Sequence, residues 1–130
     1  KAGGMAQPRR KTMKVYEAIE RIDAMVRNTY TREEKLFWLS NLDAQIATFI
    51  LRTQVPESYT PEKSMETVLL AKAPFDMMYL HWLEAQIAYA NGEIERYNNA
   101  LTTFQQEYTD FTMKQARETA PTKVTTMKYF

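Results

Sequence analysis

Apolar residues recur with helical spacing along most of the chain. The first stripe predicts an amphipathic helix that starts at Met13, with Thr12 suited to the N-cap. Its apolar positions, separated by steps of four, three and four, are Val15, Ile19, Ile22 and Val26. A break in the pattern after Val26 predicts the end of this helix.

A capping box marks the start of a second helix. In Thr31-Arg32-Glu33-Glu34, the Thr31 hydroxyl can accept from the Glu34 amide while the Glu34 carboxylate accepts from the Thr31 amide. We expect this helix to end near Arg52 or Thr53, before Pro56. Its predicted inner stripe is Leu39, Leu42, Ile46 and Phe49, widened by Leu36, Trp38 and Ile50.

A connection of about twenty residues, Thr53 to Ala73, follows, and loops of this length are uncommon unless they have a role. The run Thr60-Pro61-Glu62 has the residues of a short helix start. The apolar run Val68-Leu69-Leu70 is expected to hold the connection against the core.

The third helical segment carries the longest pattern, in which ten apolar or aromatic positions alternate steps of three and four. It predicts one helix from about Pro74 to Glu118, some 68 Å long and bent at Gly92 if it bends. The alternative is two helices divided at Asn98-Asn99. We interpret the stripe as a packing and self-association seam, formed by Leu80, Leu83, Ile87, Ala90, Ile94, Tyr97, Leu101, Phe104, Tyr108 and Phe111.

The two ends differ from the helical part. Residues 1–12 contain four cations and little apolar surface, which predicts a disordered basic arm. Residues 121–130 are β-branched and aromatic without helical period, which predicts an extended tail. The tail would add to a partner's sheet edge or lie along a neighbouring subunit, or else fray. Its candidate partner-binding residues are Val124, Thr125, Met127, Tyr129 and Phe130.

The fold class predicted is therefore all-α: a small helical bundle over residues 13–120, with one long C-terminal helix and an extended tail. Composition adds mainly exclusions. A net charge of +1 in 130 residues argues against binding by bulk attraction to nucleic acid or anionic lipid. Nothing resembles a membrane span or a signal peptide, so we expect a soluble protein that is not exported.

Catalytic and metal-binding patterns are missing from the sequence. There is no cysteine and only one histidine, His81, whose spacing from Glu84 would make a pair but not a metal site. No phosphate-binding or nucleophile motif occurs. We predict that the protein is not an enzyme and has no cofactor, metal ion or small-molecule substrate.

Aromatic residues are the remaining candidates for function. Tyr79, Trp82 and Tyr89 lie off the main stripe or at its edge. Exposed aromatic residues on a helix are typical of interface anchors, whereas buried ones simply fill a core. Both interpretations stay open for each of these three residues.

Several segments resemble a known family. They are Val15 to Asp23, Tyr30 to Lys35 with Trp38-Leu39-Ser40, Ala73 to Asp76, and above all Leu83 to Glu93 with Arg96 to Asn99. Over about Val15 to Glu118 the chain is similar to head–tail connector, or adaptor, proteins of tailed bacteriophages.

This resemblance implies a structural protein of the virion neck, assembled in the bacterial cytoplasm. Such connectors form rings, usually of twelve copies, beneath the portal protein and extend the DNA channel toward a stopper or tail protein. DNA would then be a passing cargo, and no membrane would be involved.

Two other functions compete with this one. A cytosolic coiled-coil adaptor or chaperone would dimerise through the Leu80–Phe111 seam. A nucleic-acid binder would act through Arg9, Arg10 and Lys11, and deletion of residues 1–12 would then abolish retention on DNA at low salt.

Overall fold

The computed structural model describes residues 10–119, and these form four α-helices without a β-strand. The helices are α1 (Val15–Met25), α2 (Arg32–Gln45), α3 (Met77–Asn91) and α4 (Ile94–Thr119), and a π-helical segment (Ile46–Leu51) continues α2. Helices α1, α2 and α3 pack around one apolar core, and α4 lies along α3. The prediction of an all-α bundle with a long C-terminal helix is thereby confirmed.

Helix α1 buries the predicted stripe, but Thr12 does not cap it. The helix begins at Val15, and the Lys14 amide donates to Glu17 Oε1 at 2.8 Å. The Thr12 hydroxyl instead accepts from the Ala73 amide at 3.0 Å. Thr12 therefore ties the start of the chain to the long connection.

Helix α2 starts as predicted. Thr31 Oγ1 accepts from the Glu34 amide at 3.1 Å, and Glu34 Oε1 accepts from the Thr31 amide at 2.8 Å. The helix ends at the predicted place, since Arg52 adopts a left-handed conformation (φ 56°) after the π-helical segment.

Phe49 is a correction to the predicted stripe of α2, because its side chain is 68% exposed. The wider π-helical turns rotate the chain less per residue than an α-helix does. Phe49 therefore falls short of the inner face, and Ile50 and Leu51 pack against the core in its place.

The long connection is anchored along much of its length. No helix forms at Thr60, where residues 61–66 make turns. Val68 pairs with Lys14 in an isolated antiparallel bridge, and Leu69 donates to the Met13 carbonyl at 3.0 Å. Leu69 is buried and Leu70 is half-buried, but Val68 is 45% exposed, so the predicted apolar anchor consists of two residues rather than three.

The predicted single helix from Pro74 to Glu118 is wrong. Residues 73–76 form turns before Met77, and the chain then reverses at Gly92 and Glu93 so that α3 and α4 form an antiparallel hairpin. The alternative division at Asn98-Asn99 is also wrong, because both asparagines lie within α4.

The sequence pattern hid this reversal for a simple reason. The step across the turn, from Ala90 to Ile94, is four residues, which is also a step of the heptad pattern. The stripes of α3 and α4 face each other, so the apolar periodicity continues unchanged although the chain direction reverses. The predicted helix of some 68 Å is therefore two shorter helices that lie side by side.

Gly92 permits this reversal because its backbone lies in the left-handed region (φ 76°). Apart from Gly92 and its two chain neighbours, no atom lies within 4 Å of the position that a Cβ would take there. We therefore expect Gly92→Ala to lower the free energy of unfolding by about 1 kcal/mol through backbone strain alone. Gly92→Asn should cost less, because asparagine tolerates this conformation better. Urea unfolding of both variants checks the order, and equal losses would contradict it.

The boundary of the predicted N-terminal arm also needs correction. Arg10 forms an ion pair with the buried Asp76, one of its bonds measuring 2.8 Å, so residues 10–12 belong to the folded part. Residues 1–9 and the predicted tail, 121–130, lie outside the described residues.

Candidate functional site

The predicted seam is used mostly within the chain itself. The aromatic pairs Phe75–Phe111, Trp82–Phe104 and Tyr89–Tyr97 join α4 to α3 or to the turn before it, with ring centroids 5.1–5.6 Å apart. The residue numbers of the three pairs have the same sum, which defines one antiparallel register. The buried seam positions are Leu80, Leu83, Ile87, Phe104 and Phe111, and the half-buried ones are Tyr97, Leu101 and Tyr108.

Two seam positions at the hairpin turn remain uncovered. Ile94 is 60% exposed, and Ala90 is exposed as well. Self-association through the whole seam would require the hairpin to open, so only this end of the seam is accessible to a partner.

The three aromatic residues at the edge of the stripe have different environments. Tyr79 is fully buried, and Trp82 is half-buried with its indole N–H donating to the Trp38 carbonyl at 2.9 Å. Tyr89 is 65% exposed. Only Tyr89 is therefore available as an interface anchor.

Polar pairs also bridge the two helices of the hairpin. His81 Nδ1 lies 2.7 Å from Glu107 Oε1 on α4, so the His81–Glu84 pair suggested by the spacing does not form. Glu84 instead accepts from Arg96 Nε at 3.2 Å. These contacts reinforce the hairpin. Within residues 10–119, no group of three or more His, Asp and Glu side chains is arranged to hold a metal ion.

A buried carboxylate, which the sequence analysis missed, organises the interior. Asp43 Oδ2 accepts from the Tyr59 hydroxyl and Asp43 Oδ1 from the Tyr79 hydroxyl, both at 2.5 Å. The Tyr79 hydroxyl in turn accepts from the Ala71 amide at 2.8 Å. Asp43 thus joins α2 and α3 to both halves of the long connection. Its position four residues after Leu39 and three before Ile46 puts it on the inner face of α2, and that was the available signal.

Burial changes the ionisation of this cluster. Loss of contact with water raises the pKa of Asp43, while hydrogen bonds from Tyr59 and Tyr79 act in the opposite direction. Burial, followed by the adjacent Asp43, raises the pKa of both tyrosine hydroxyls. The cluster is enclosed, and every member has a hydrogen-bond partner. We assign it a structural role.

The raised tyrosine pKa values predict alkaline unfolding. Unfolded tyrosines ionise near pH 10, whereas Tyr59 and Tyr79 hold their protons in the folded state to higher pH. Because the folded state binds more protons above pH 10, its free energy of unfolding should fall by about 1.4 kcal/mol per pH unit for each of the two residues. Urea unfolding between pH 8 and 11 measures this slope.

Two phenylalanine variants provide the control for this pH experiment. Tyr79→Phe and Tyr59→Phe should each reduce the slope by one tyrosine's share relative to the unaltered chain. A slope that neither variant reduces would contradict the assignment.

A second buried carboxylate holds the N-terminal segment in place. Asp76 Oδ2 accepts from the Met13 amide at 2.8 Å, and Arg10 pairs with both oxygens of the same carboxylate. Asp76 is fully buried, whereas the Arg10 side chain is 41% exposed. Arg10 was a candidate for nucleic-acid contact, and this ion pair instead gives it a partner within the fold.

One surface that is open to a partner is the hairpin tip, residues 89–97. It exposes the large apolar side chains of Tyr89 and Ile94. Two glutamates, Glu93 and Glu95, and one arginine, Arg96, give the tip a net charge of −1. Tyr89 packs against Tyr97, which fixes the ring in place at the surface.

The second surface lies at the other end of α4 and is concave. We call it the base groove. It has a volume of about 700 Å³ and runs between the π-helical segment and the last turns of α4. A further hollow of about 420 Å³ lies against the long connection and shares two residues, Leu51 and Gln115, with the groove. The groove is lined by Phe49, Leu51, Arg52, Thr112, Gln115 and Thr119, among others.

Comparison with known proteins found no match, whether among protein-family models, curated proteins or solved structures. No helix among residues 10–119 is both long and apolar enough to cross a membrane. The predicted tail residues, Val124 to Phe130, fall outside the described range.

Proposed function

We propose that this protein is a structural subunit of a larger assembly, and specifically a head–tail connector of a tailed bacteriophage. The resemblance of residues 15–118 to adaptor proteins supplies the specific identity. In this role the chain forms a ring with copies of itself beneath the portal and catalyses no reaction. DNA passes through the ring toward a stopper or tail protein.

One observation carries the proposal that the chain works by assembly. The buried polar clusters are fully committed to the fold, while large apolar side chains are exposed at several places, among them the hairpin tip, the base groove and Phe37 on α2. Exposed aromatic and aliphatic anchors are typical of protein interfaces. The described part of the chain therefore offers exposed apolar surface to partners, and the hairpin tip and the base groove are two such places.

The arrangement of the two surfaces favours a ring over a pair. A two-fold dimer uses the same patch on both copies, whereas a ring uses two different patches on each copy. The tip and the groove differ in shape, and α4, which is about 39 Å long, separates them.

The alternative function, a coiled-coil adaptor or chaperone that dimerises through the Leu80–Phe111 seam, is less well supported. Five seam positions are buried and three are half-buried within the monomer. Such a dimer would have to use the exposed end of the seam, at Ala90 and Ile94.

Co-expression with the portal protein encoded in the same gene cluster tests the proposal. We expect the two proteins to purify together, with a ring of this chain on the portal in electron micrographs. A chain that forms only a stable two-fold dimer and ignores the portal would support the adaptor instead. A gene neighbourhood without portal and capsid genes would also contradict the proposal.

A further inference from the structure

Two of the exposed surfaces of this chain, the hairpin tip and the base groove, complement each other. The tip projects from the turn of the hairpin and presents Tyr89 and Ile94, whereas the base groove is a hollow that exposes Phe49. We propose that the hairpin tip of one copy docks in the base groove of a second copy, head to tail. This inference deepens the proposed function and rests on its premise that copies of the chain assemble.

Charge supports a second copy as the occupant of the groove. Residues 89–97 carry a net charge of −1, and Arg96 contacts both Glu84 on α3 and Glu93 in the tip. The groove and the adjoining hollow are lined by Arg52, Lys72 and Lys114 against a single acid, Glu118, for a net charge of +2. An acidic projection and a basic hollow attract each other and fix the orientation of the contact.

Packing within the monomer supports the same occupant. Tyr89 rests on Tyr97, so a large aromatic side chain is held outward without further loss of conformational freedom on binding. The groove volume of about 700 Å³ falls within the range of sites that enclose bulky apolar groups. Because tip and groove lie at opposite ends of α4, each docked copy leaves its own groove open for the next.

The geometry has a definite consequence for assembly. Repeated tip-to-groove contacts are heterologous, and they close into a ring if the rotation between neighbours divides a full turn. If the rotation does not close, the same contacts give a filament. A dimer in which tip meets tip or groove meets groove is excluded by the proposal.

Site-specific cross-linking provides the test, because the sequence contains no cysteine. Full-length chains carrying Ile94→Cys and Gln115→Cys are mixed at roughly millimolar concentration, high enough to populate a weak contact. A short bismaleimide then joins thiols with less geometric demand than a disulfide makes. We expect a 94–115 dimer from the mixture, and a ladder of oligomers from the chain that carries both substitutions.

A matched control uses Glu20→Cys, on the exposed surface of α1, in place of Gln115→Cys. The mixture with Ile94→Cys should give at least about tenfold less heterodimer than the 94–115 mixture. Equal yields from both mixtures, or no heterodimer from either, would overturn the inference. Dominant 94–94 dimers would replace it with a two-fold dimer through the tip.

The chain's own C-terminal residues are the competing occupant of the groove, because Thr119, the last described residue, lines it. A chain with Gln115→Cys and Met127→Cys separates the two. Efficient cross-linking within one monomer would overturn the docking of a second copy. Little monomer cross-linking, together with the 94–115 dimer, would support it.

Charge reversal gives an independent readout by sedimentation. Glu95→Arg should weaken self-association at least about tenfold, and Arg52→Glu in the same chain should restore much of the loss. Loss without recovery would contradict the charge pairing.

The outcomes also separate this inference from the proposed function. Tip-to-groove cross-links without binding to the portal would leave the inference standing and remove the connector function. A ring on the portal without 94–115 cross-links would support the connector function and contradict the docking of tip in groove.

Discussion

Ile87→Asp should remove most of the stability of this fold. Ile87 is fully buried in the core on α3. The substitution removes a buried aliphatic side chain and puts in its place a carboxylate, which has no hydrogen-bond or ion-pair partner among the apolar groups there. Each effect costs several kcal/mol, so we expect a loss of roughly 4–5 kcal/mol, a large share of the stability of an ordinary domain. Urea or thermal unfolding measures this loss.

The chain contains a matched control in Ile94→Asp. Ile94 is 60% exposed and begins α4, where a negative charge is favourable beside the positive end of the helix dipole. We expect its effect on the unfolding free energy to stay within about 0.5 kcal/mol. If Ile87→Asp does not fold at all, Ile87→Ala should lose about 3 kcal/mol and remain measurable. Similar melting of Ile87→Asp and Ile94→Asp would show that the hairpin does not pack as described.

Asp43→Ala should have the second largest effect, a loss of about 3 kcal/mol. The substitution leaves the Tyr59 and Tyr79 hydroxyls buried without their acceptor, and each such group costs about 1–3 kcal/mol. The damage should extend to the long connection, because Tyr59 and the Leu70 amide are both held by the same carboxylate. Faster hydrogen exchange at residues 59–71 would report that release.

Asp43→Asn distinguishes the hydrogen-bonding role from a role of the charge. Burial raises the pKa of Asp43, which means that the surroundings disfavour the ionised form. A neutral amide of the same shape keeps one of the two acceptor oxygens, so one tyrosine hydroxyl loses its acceptor and we expect a loss of about 1–2 kcal/mol, smaller than that of Asp43→Ala. Asp110→Ala, which removes an exposed carboxylate from α4, serves as the surface control and should change little. Losses from Asn as large as those from Ala would contradict this account.

Local signals in the sequence predicted the elements well where the physics is local. The capping box at Thr31 depends on side chains three residues apart, and the buried stripe of α1 depends only on helical period. The sequence therefore predicted where α2 starts and which face of α1 is buried. Phe49 was misplaced because nothing local announced that the helix would widen at Ile46.

Long-range features could not be predicted in the same way. A heptad stripe that passes through a four-residue step is the same for one straight helix and for a hairpin, and only the left-handed conformation at Gly92 distinguishes them. Asp43 and Tyr59 are sixteen residues apart, and Arg10 and Asp76 sixty-six, so no spacing rule relates them. The exposed tip could not be predicted without the hairpin, because the exposure of Ile94 depends on which side chains α3 and α4 cover.

The shared register of the hairpin limits how related chains can vary in length. An insertion within α3 would shift its aromatic rings past those of α4 unless α4 gained the same number of residues at the matching level. By contrast, the turns of α4 beyond Phe111 have no counterpart in α3, since Phe111 already packs against Phe75, which precedes the start of α3 at Met77. The length of that end of α4 is therefore constrained by the base groove that it lines and not by the hairpin register, while the paired stretch between Trp82 and Phe104 must change in both helices of the hairpin together.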